Sequence, residues 1–229
     1  MEILQNNFTL DIAPGAFPLS TDSMLLSDFV KLPKNAAVLD LGSGCATLGL
    51  LLCAKDAGCR VTGIELDPTA HQMALANIAR NDLSQRLFSI CADLRDVKKT
   101  LPAGSFSVCV SNPPYFTGGP ASASCPQARR DDTCTTKELF ASAAWALRYG
   151  GEFFLVHKPE RLAQLCSCAC NAGLEPKRIC LIRHDSQKPV SLLLLACKKG
   201  AKAGLIWEEM CLFLPDGTPT DSYRTLYRI

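Results

Sequence analysis

The chain has 229 residues, 48% of them apolar and 20% charged, with a formal net charge of +2, which fits one large or two small globular domains with a core that needs no disulfide staples. Its longest unbroken apolar run, Leu192–Cys197, falls far short of the ~20 residues of a membrane span. Glu2, Asn6 and Asn7 stand where a signal peptide would place basic and then apolar residues, so membrane, secreted and fibrous classes are excluded and a cytoplasmic location is expected.

Residues 1–35 read as a lead-in in which Thr21-Asp22-Ser23 caps a helix with Leu25, Leu26, Phe29 and Val30 facing inward. From there, short apolar runs alternate with helical segments, the pattern of a parallel α/β sheet, and residues 36–229 make one domain. The strands are expected at Ala37–Leu41, Arg60–Ile64, Phe88–Cys91, Phe106–Ser111, Glu152–His157, Arg178–Ile182 and Ser191–Ala196. The helices are expected at Thr47–Asp56, Thr69–Asn81, Thr136–Tyr149 and Pro159–Ala172, with Gly150-Gly151 ending the third. Residues 116–134 form a long Gly/Pro/Ser-rich loop without periodicity, and weak strand character returns at Glu209–Leu214 before a Pro-Asp-Gly turn.

The chemistry gathers at the strand ends. The first strand runs into Asp40-Leu41-Gly42-Ser43-Gly44-Cys45-Ala46-Thr47. Glycines at such a turn admit a ligand close to the backbone, although they also serve a purely structural turn. Thr47 stands where a dinucleotide fingerprint needs its third glycine, and no phosphate-binding Gly-Lys-Ser/Thr is present. Asp40, two before the first glycine, suits a ligand bearing an ammonium group. Glu65, at the tip of the second strand, is placed to take both ribose hydroxyls of an adenosine-type cofactor; Asp67, before Pro68, reads more simply as a helix cap. Asp93 ends the third strand within reach of an adenine amino group.

The fourth strand ends in Ser111-Asn112-Pro113-Pro114-Tyr115. Two prolines forfeit two backbone donors and stiffen the turn. They fix the Asn112 amide and the Pro113 carbonyl as a pair of acceptors for a planar NH2 group, while Tyr115 offers a ring for stacking a base.

Thirteen cysteines, an odd number, suit reduced thiols. Cys166, Cys168 and Cys170 do not share one helix face, no Cys-x-x-Cys or nearby His completes a zinc set, and they read as packing residues; no metal is expected. Charge is uneven: residues 1–115 carry 9 basic and 11 acidic side chains, residues 116–229 carry 15 and 11. The stretch Lys177, Arg178, Arg183, Lys188, Lys198, Lys199, Lys202 contains one acid, Asp185. Such a half suits a nucleic-acid partner, or else a plain solvated surface.

Asp40-x-Gly-x-Gly, Glu65, Asp93 and Asn112-Pro-Pro-Tyr115 in this order resemble a class I S-adenosylmethionine-dependent methyltransferase acting on exocyclic or amide nitrogens. Phe17-Pro-Leu-Ser-Thr21-Asp22-Ser23, Cys134-Thr135 before Lys137-Glu138-Leu139, and His157-Lys158-Pro159-Glu160-Arg161-Leu162 are similar to the bacterial tRNA1(Val) adenine-N6 methyltransferase family, over roughly Phe17 to Tyr223. The resemblance implies a Rossmann-like seven-stranded sheet with helices on both faces. It implies S-adenosylmethionine as cofactor, its methionyl end held by Asp40, Gly42 and Gly44 with Thr21 and Asp22 closing over it, its ribose by Glu65 and its adenine by Asp93. Asn112 and Pro113 would hold the target amine, with Tyr115 stacked on the base. The substrate would be position 37 of a tRNA, bound by the basic half, Arg129, Arg130, Lys198 and Lys199, with a monomer expected. The departure is Ala46 in place of the family's third glycine, tolerable at negative φ. A protein-glutamine methyltransferase shares the Asn-Pro-Pro-Tyr motif but usually carries a longer N-terminal domain. DNA adenine methyltransferases commonly add a target-recognition domain, and an RNA-binding relic without transfer activity is the non-enzyme alternative.

Overall fold

The structure is a computed structural model that describes residues 1–113 and 134–227. Tyr115, Arg129, Arg130 and most of the expected long loop lie outside the described residues. In chain order the elements are β1 (Glu2–Ile3), β2 (Thr9–Leu10), α1 (Thr21–Phe29), β3 (Ala37–Leu41), α2 (Thr47–Lys55), β4 (Arg60–Glu65), α3 (Pro68–Arg80), β5 (Leu87–Cys91) and α4 (Val97–Thr100). There follow β6 (Phe106–Ser111), α5 (Thr136–Ala146), β7 (Leu147–His157), α6 (Leu162–Asn171), β8 (Leu174–Arg183), β9 (Val190–Lys199), β10 (Ile206–Cys211) and α7 (Asp221–Tyr227).

One mixed sheet carries the molecule, in the order β10-β8-β9-β7-β6-β3-β4-β5. The alternation along the strands divides the core in two. Val38, Val61, Val108, Val110, Phe154 and Leu194 face α1, α2 and α3, whereas Leu39, Ile64, Cys109, Phe153, Leu155 and Leu195 face α4, α5 and α6. Strand order reverses between β3 and β6, so a crevice opens at their carboxyl ends, where open α/β sheets bind ligands.

The expected Rossmann-like sheet with helices on both faces is present, and it differs in two features from a parallel sheet of seven strands. β9 runs antiparallel to both β7 and β8, because the connection from Arg183 to Val190 is far too short for a parallel crossover. β10 adds an eighth strand, parallel to β8 and beginning three residues before the expected start. Its residues are mostly exposed, so no apolar alternation marks its limits.

Two helix ends also differ. α5 stops at Ala146, before Gly150-Gly151, and Leu147 already pairs with Phe106 in the sheet. Lys199 Nζ bonds the Ala144 and Leu147 carbonyls at 2.6 and 2.7 Å, satisfying acceptors the terminating helix leaves open. The two glycines fall in an irregularity of the β6–β7 register, Gly150 at φ 76°. α1 is capped by Ser20, which accepts from the Ser23 N–H, and Thr21-Asp22-Ser23 are its first turn. The lead-in is tied to α3: the Asn77 amide bonds the Asp11 N–H and carbonyl, and the Asn81 amide those of Thr9.

Candidate active site

The crevice is a cavity of about 490 Å³ whose walls include Gly15–Pro18, Asp22, Ser23, Asp40–Cys45, Glu65, Asp67, Asp93, Asn112, Pro113, Cys134–Thr136 and His157. Five of its lining residues are carboxylic acids, and none of the described lining residues is Lys or Arg. Such a wall favours a cation and repels a phosphate.

Asp40 lies on the central strand β3 and is 1% exposed, with neither carboxylate oxygen hydrogen-bonded among the described residues. Burial, and then the charge of Glu65, push its pKa up to about 8. A buried carboxyl with no donor is costly to ionise, and a cationic group entering the cavity would supply the missing counter-charge. The turn that follows supports this reading. Gly42 and Gly44 have φ of 78° and 54°, and a Cβ on either would meet no protein atom within 4 Å. The chain keeps open space there, on a backbone that side chains rarely adopt. Gly63 on β4 makes room for Ser43, whose hydroxyl would clash with a Cβ and is itself buried without a hydrogen-bond partner among the described residues.

Ala46 corrects the expectation of negative φ: it is left-handed at φ 68° and opens α2. Its methyl is buried, 3% exposed, and packs in the core that holds Cys45 and Leu48.

Glu65 joins the two turns. Its Oε2 accepts from Gly44 N–H at 2.7 Å and its Oε1 from Asp67 N–H at 2.8 Å. Each oxygen keeps a further lone pair, so the carboxylate is held rigid and still accepts from a diol. Asp67 does cap α3, through Thr69 N–H. Asp93 lines the cavity, but its carboxylate caps the short helical turn at Leu94–Asp96 and pairs with Arg95 through both oxygens. The Arg95 guanidinium holds its pKa below the ordinary carboxylate range.

Asn112 and Pro113 stand at the end of β6, every residue of which is buried. The Asn112 Nδ2 donates to Ser23 Oγ at 3.1 Å. Asp22 and Ser23 line the cavity, whereas Thr21 does not: one helical step turns its hydroxyl to the Tyr227 Oη, 2.9 Å away. The lead-in therefore closes the site with Asp22 and Ser23, and Thr21 anchors it from behind.

Two contributors escaped the sequence reading. Neither has a role assigned from sequence: Ser23 stands in a cap and in the Phe17–Ser23 motif, and His157 heads the His157–Leu162 motif. His157, at the end of β7, lines the cavity; Lys158 N–H donates to its Nδ1 at 2.8 Å, and burial lowers its pKa to about 4. It is neutral at pH 7, so it adds no positive charge to the cation-favouring wall. The signal for it was its place as the last residue of an apolar run.

The basic stretch is dispersed by the fold. Arg178 lies over the Phe29 ring, 3.8 Å from its centroid, and donates to the Phe29 carbonyl; Glu208 is 3.9 Å away. Arg183 approaches Glu209 at 3.9 Å, Lys198 pairs with Glu152 at 3.3 Å, and Lys199 is committed to α5. These acids are distant in sequence and adjacent across strands, which a count along the chain does not see. In α6, Leu165 and Ala169 are the buried residues; Cys166 and Cys168 are half-buried and Cys170 is exposed.

Comparison with known proteins bears on the family and the fold. The family model of the methyltransferase small domain matches residues 19–164. A "tRNA1(Val) (adenine(37)-N6)-methyltransferase" of Photobacterium profundum is 31% identical over 192 residues, 82% of this chain and 80% of the relative. A protein of the same name from Photorhabdus laumondii is 27% identical, over 92% of this chain and 87% of its own. Among solved structures, a protein described as a predicted O-methyltransferase from Agrobacterium tumefaciens superposes with a TM-score of 0.77 at 21% identity, covering 91% of this chain and 96% of that one. A methyltransferase from Pyrococcus furiosus gives 0.62 at 20% identity, covering 84% and 89%.

Proposed function

Because the chain belongs to the methyltransferase small domain family, we propose that it is a tRNA adenine-N6 methyltransferase, with position 37 of tRNA1(Val) as its target, as in the names of its relatives. S-adenosylmethionine is the cofactor, and when bound it supplies an electrophilic methyl group on a sulfonium. The observation that carries the reading is the pairing of an acid-lined wall, with no Lys or Arg among its described residues, with Asn112 and Pro113 at the same cavity. The first fits a cationic cofactor and the second fits an NH2 group.

Asp40, once ionised, would hold the ammonium end. Gly42 and Gly44 would let the backbone approach the ligand closely. Glu65 would accept from the ribose hydroxyls. Asp93, paired with Arg95, would take the adenine edge. Asn112, with the Pro113 carbonyl, accepts both hydrogens of the target amine. As the nitrogen becomes tetrahedral those bonds strengthen, so they favour the transition state over the ground state. The extra proton on the alkylated nitrogen is acidic and leaves to water, so no basic side chain is required. The adenine comes from an anticodon loop, whose unstacked base is cheap to extrude, and only the base enters the acidic cavity while the phosphates stay outside.

The test is nucleoside mass spectrometry of tRNA incubated with the protein and the cofactor. N6-methyladenosine at position 37 of tRNA1(Val) is expected; methylation of a glutamine peptide in its place would overturn the substrate. Asn112→Ala should cut single-turnover transfer by on the order of 100-fold with cofactor affinity unchanged.

A further inference from the structure

Strands β6, β7, β8 and β10 all end on the edge where the cavity opens, and on this side of the sheet β9 alone runs against them. Just past the ends of β8 and β10 that edge carries a row of rings. His184 stacks on Phe213, with centroids 4.7 Å apart and planes at 24°. Phe213 leans on Tyr223 at 4.7 Å, and Tyr223 on Tyr227 at 4.5 Å. The row ends beside the cavity wall: Tyr227 Oη bonds Thr21 Oγ1 at 2.9 Å, and Asp22, the next residue, lines the wall.

The inner three rings are half-buried, whereas 61% of the His184 side chain is exposed. Phe213 covers one face of the imidazole, so the exposure falls on the other face and on the ring edge. The ring is nonetheless held still. Its Nδ1 donates to Asp185 Oδ2 at 3.2 Å, and the buried Asp185 accepts in turn from Gln187 N–H at 2.8 Å. The backbone is fixed as well: Phe213 N–H donates to the His184 carbonyl at 2.8 Å, and Lys188 N–H to that of Asp185 at 3.2 Å. The same turn presents Lys188, exposed. A ring for the base and an ammonium for the phosphate are the contacts that hold a nucleotide of a single strand, and a ring already fixed in place costs little to order on binding. We propose that the outer face of His184 is a stacking site for one unpaired base of the RNA substrate, other than the base that enters the cavity, with Lys188 on a neighbouring phosphate. The inference rests on the RNA substrate proposed above and names a contact of that substrate outside the catalytic cavity.

The test is a double-mutant cycle between protein and RNA. Affinity for an unmodified tRNA1(Val) transcript should fall roughly 5- to 50-fold in His184→Ala and stay within threefold of wild type in His184→Phe, which keeps a ring. The slope of log K against log salt should be that of wild type in both, because a stacked ring releases no counterion. S-adenosylmethionine affinity should not move. Transcripts in which one unpaired nucleotide at a time is made abasic are then bound to wild type and His184→Ala. At one position the His184→Ala penalty should vanish, and at the others it should persist. Wild-type affinity in His184→Ala, or a penalty that survives at every abasic position, overturns the proposal. A wild-type protein that binds the transcript and leaves it unmethylated overturns the substrate reading alone, and the cycle still decides the stacking; one that binds no RNA overturns both.

Discussion

At the scale of single residues, β3 and the turn after it hold two costs. Asp40 is one. With a pKa near 8 in the folded chain and near 4 when unfolded, it carries a proton in the native state that the unfolded chain has released. Its contribution to stability therefore falls as pH rises from about 4 to about 8, and is level above that. Asp40→Asn should raise the melting temperature of the cofactor-free protein at pH 8 and much less at pH 4. The gain at pH 8 is on the order of a few kcal/mol. The same variant should bind S-adenosylmethionine weakly. Wild-type binding should release a proton between pH 6 and 8, read by calorimetry in buffers of different ionisation heat, and the variant should release less. Equal proton release in the two would remove Asp40 from the cofactor's ammonium end. Ala46 is the second cost: a left-handed alanine is strained by about 1–2 kcal/mol, partly offset by about 0.8 kcal/mol from its buried methyl. Ala46→Gly should leave stability equal or up to about 1 kcal/mol higher, while Ala46→Val should lose more than 1 kcal/mol by chemical denaturation.

At the scale of elements, strand ends and helix ends were not equally legible. Four strands announced themselves because their apolar runs stop at residues that need a cavity: Asp40, Glu65, Asp93 and Asn112 all stand where the turns leave the sheet. The helix limits depend on partners far along the chain. Nothing local to Ala144–Leu147 says that Lys199 will cap those carbonyls, and nothing local to Thr21 says that Tyr227 will claim its hydroxyl. For the same reason a cap reading of Thr21-Asp22-Ser23 missed the bond from Asn112 to Ser23. The direction of β9 was readable in principle, since the six residues from His184 to Pro189 leave no room for a crossover. Lys199→Met makes this dependence measurable. The methylene stem is kept and the ammonium that satisfies two carbonyls is lost, so stability should fall by about 1–3 kcal/mol. Cofactor affinity should not move, because Lys199 lies outside the cavity wall. A variant as stable as wild type in urea would mean that water replaces the lysine at no cost.

At the scale of the whole molecule, the described residues put five carboxylic acids and no Lys or Arg on the cavity wall. If tRNA is the substrate, as proposed, its phosphates would be held beyond the rim while one base enters the acidic interior. Within the basic stretch, the cations on strands β8 and β9 are poor candidates for that grip, because Glu152, Glu208 and Glu209 lie against Lys198, Arg178 and Arg183, and Lys199 is turned inward. The carboxyl edge of the sheet, where the cavity opens, offers better placed cations. Lys137 is exposed in the first turn of α5 beside Thr136 of the wall, and Lys188 is exposed in the connection between β8 and β9. Each phosphate contact released by salt contributes about 0.9 to the slope of log K against log salt for a duplex, and about 0.7 for a single strand. Lys137→Glu and Lys188→Glu should therefore each weaken tRNA binding and reduce the magnitude of that slope by about one. Lys198→Glu should leave the slope nearly unchanged and cost stability through its repulsion with Glu152. The measurement is tRNA affinity at several salt concentrations, with S-adenosylmethionine affinity as the control, which should be equal in all three. If the Lys198 variant flattens the slope while the Lys137 and Lys188 variants do not, the RNA lies along the outer strands, and the edge at which the cavity opens is not its track.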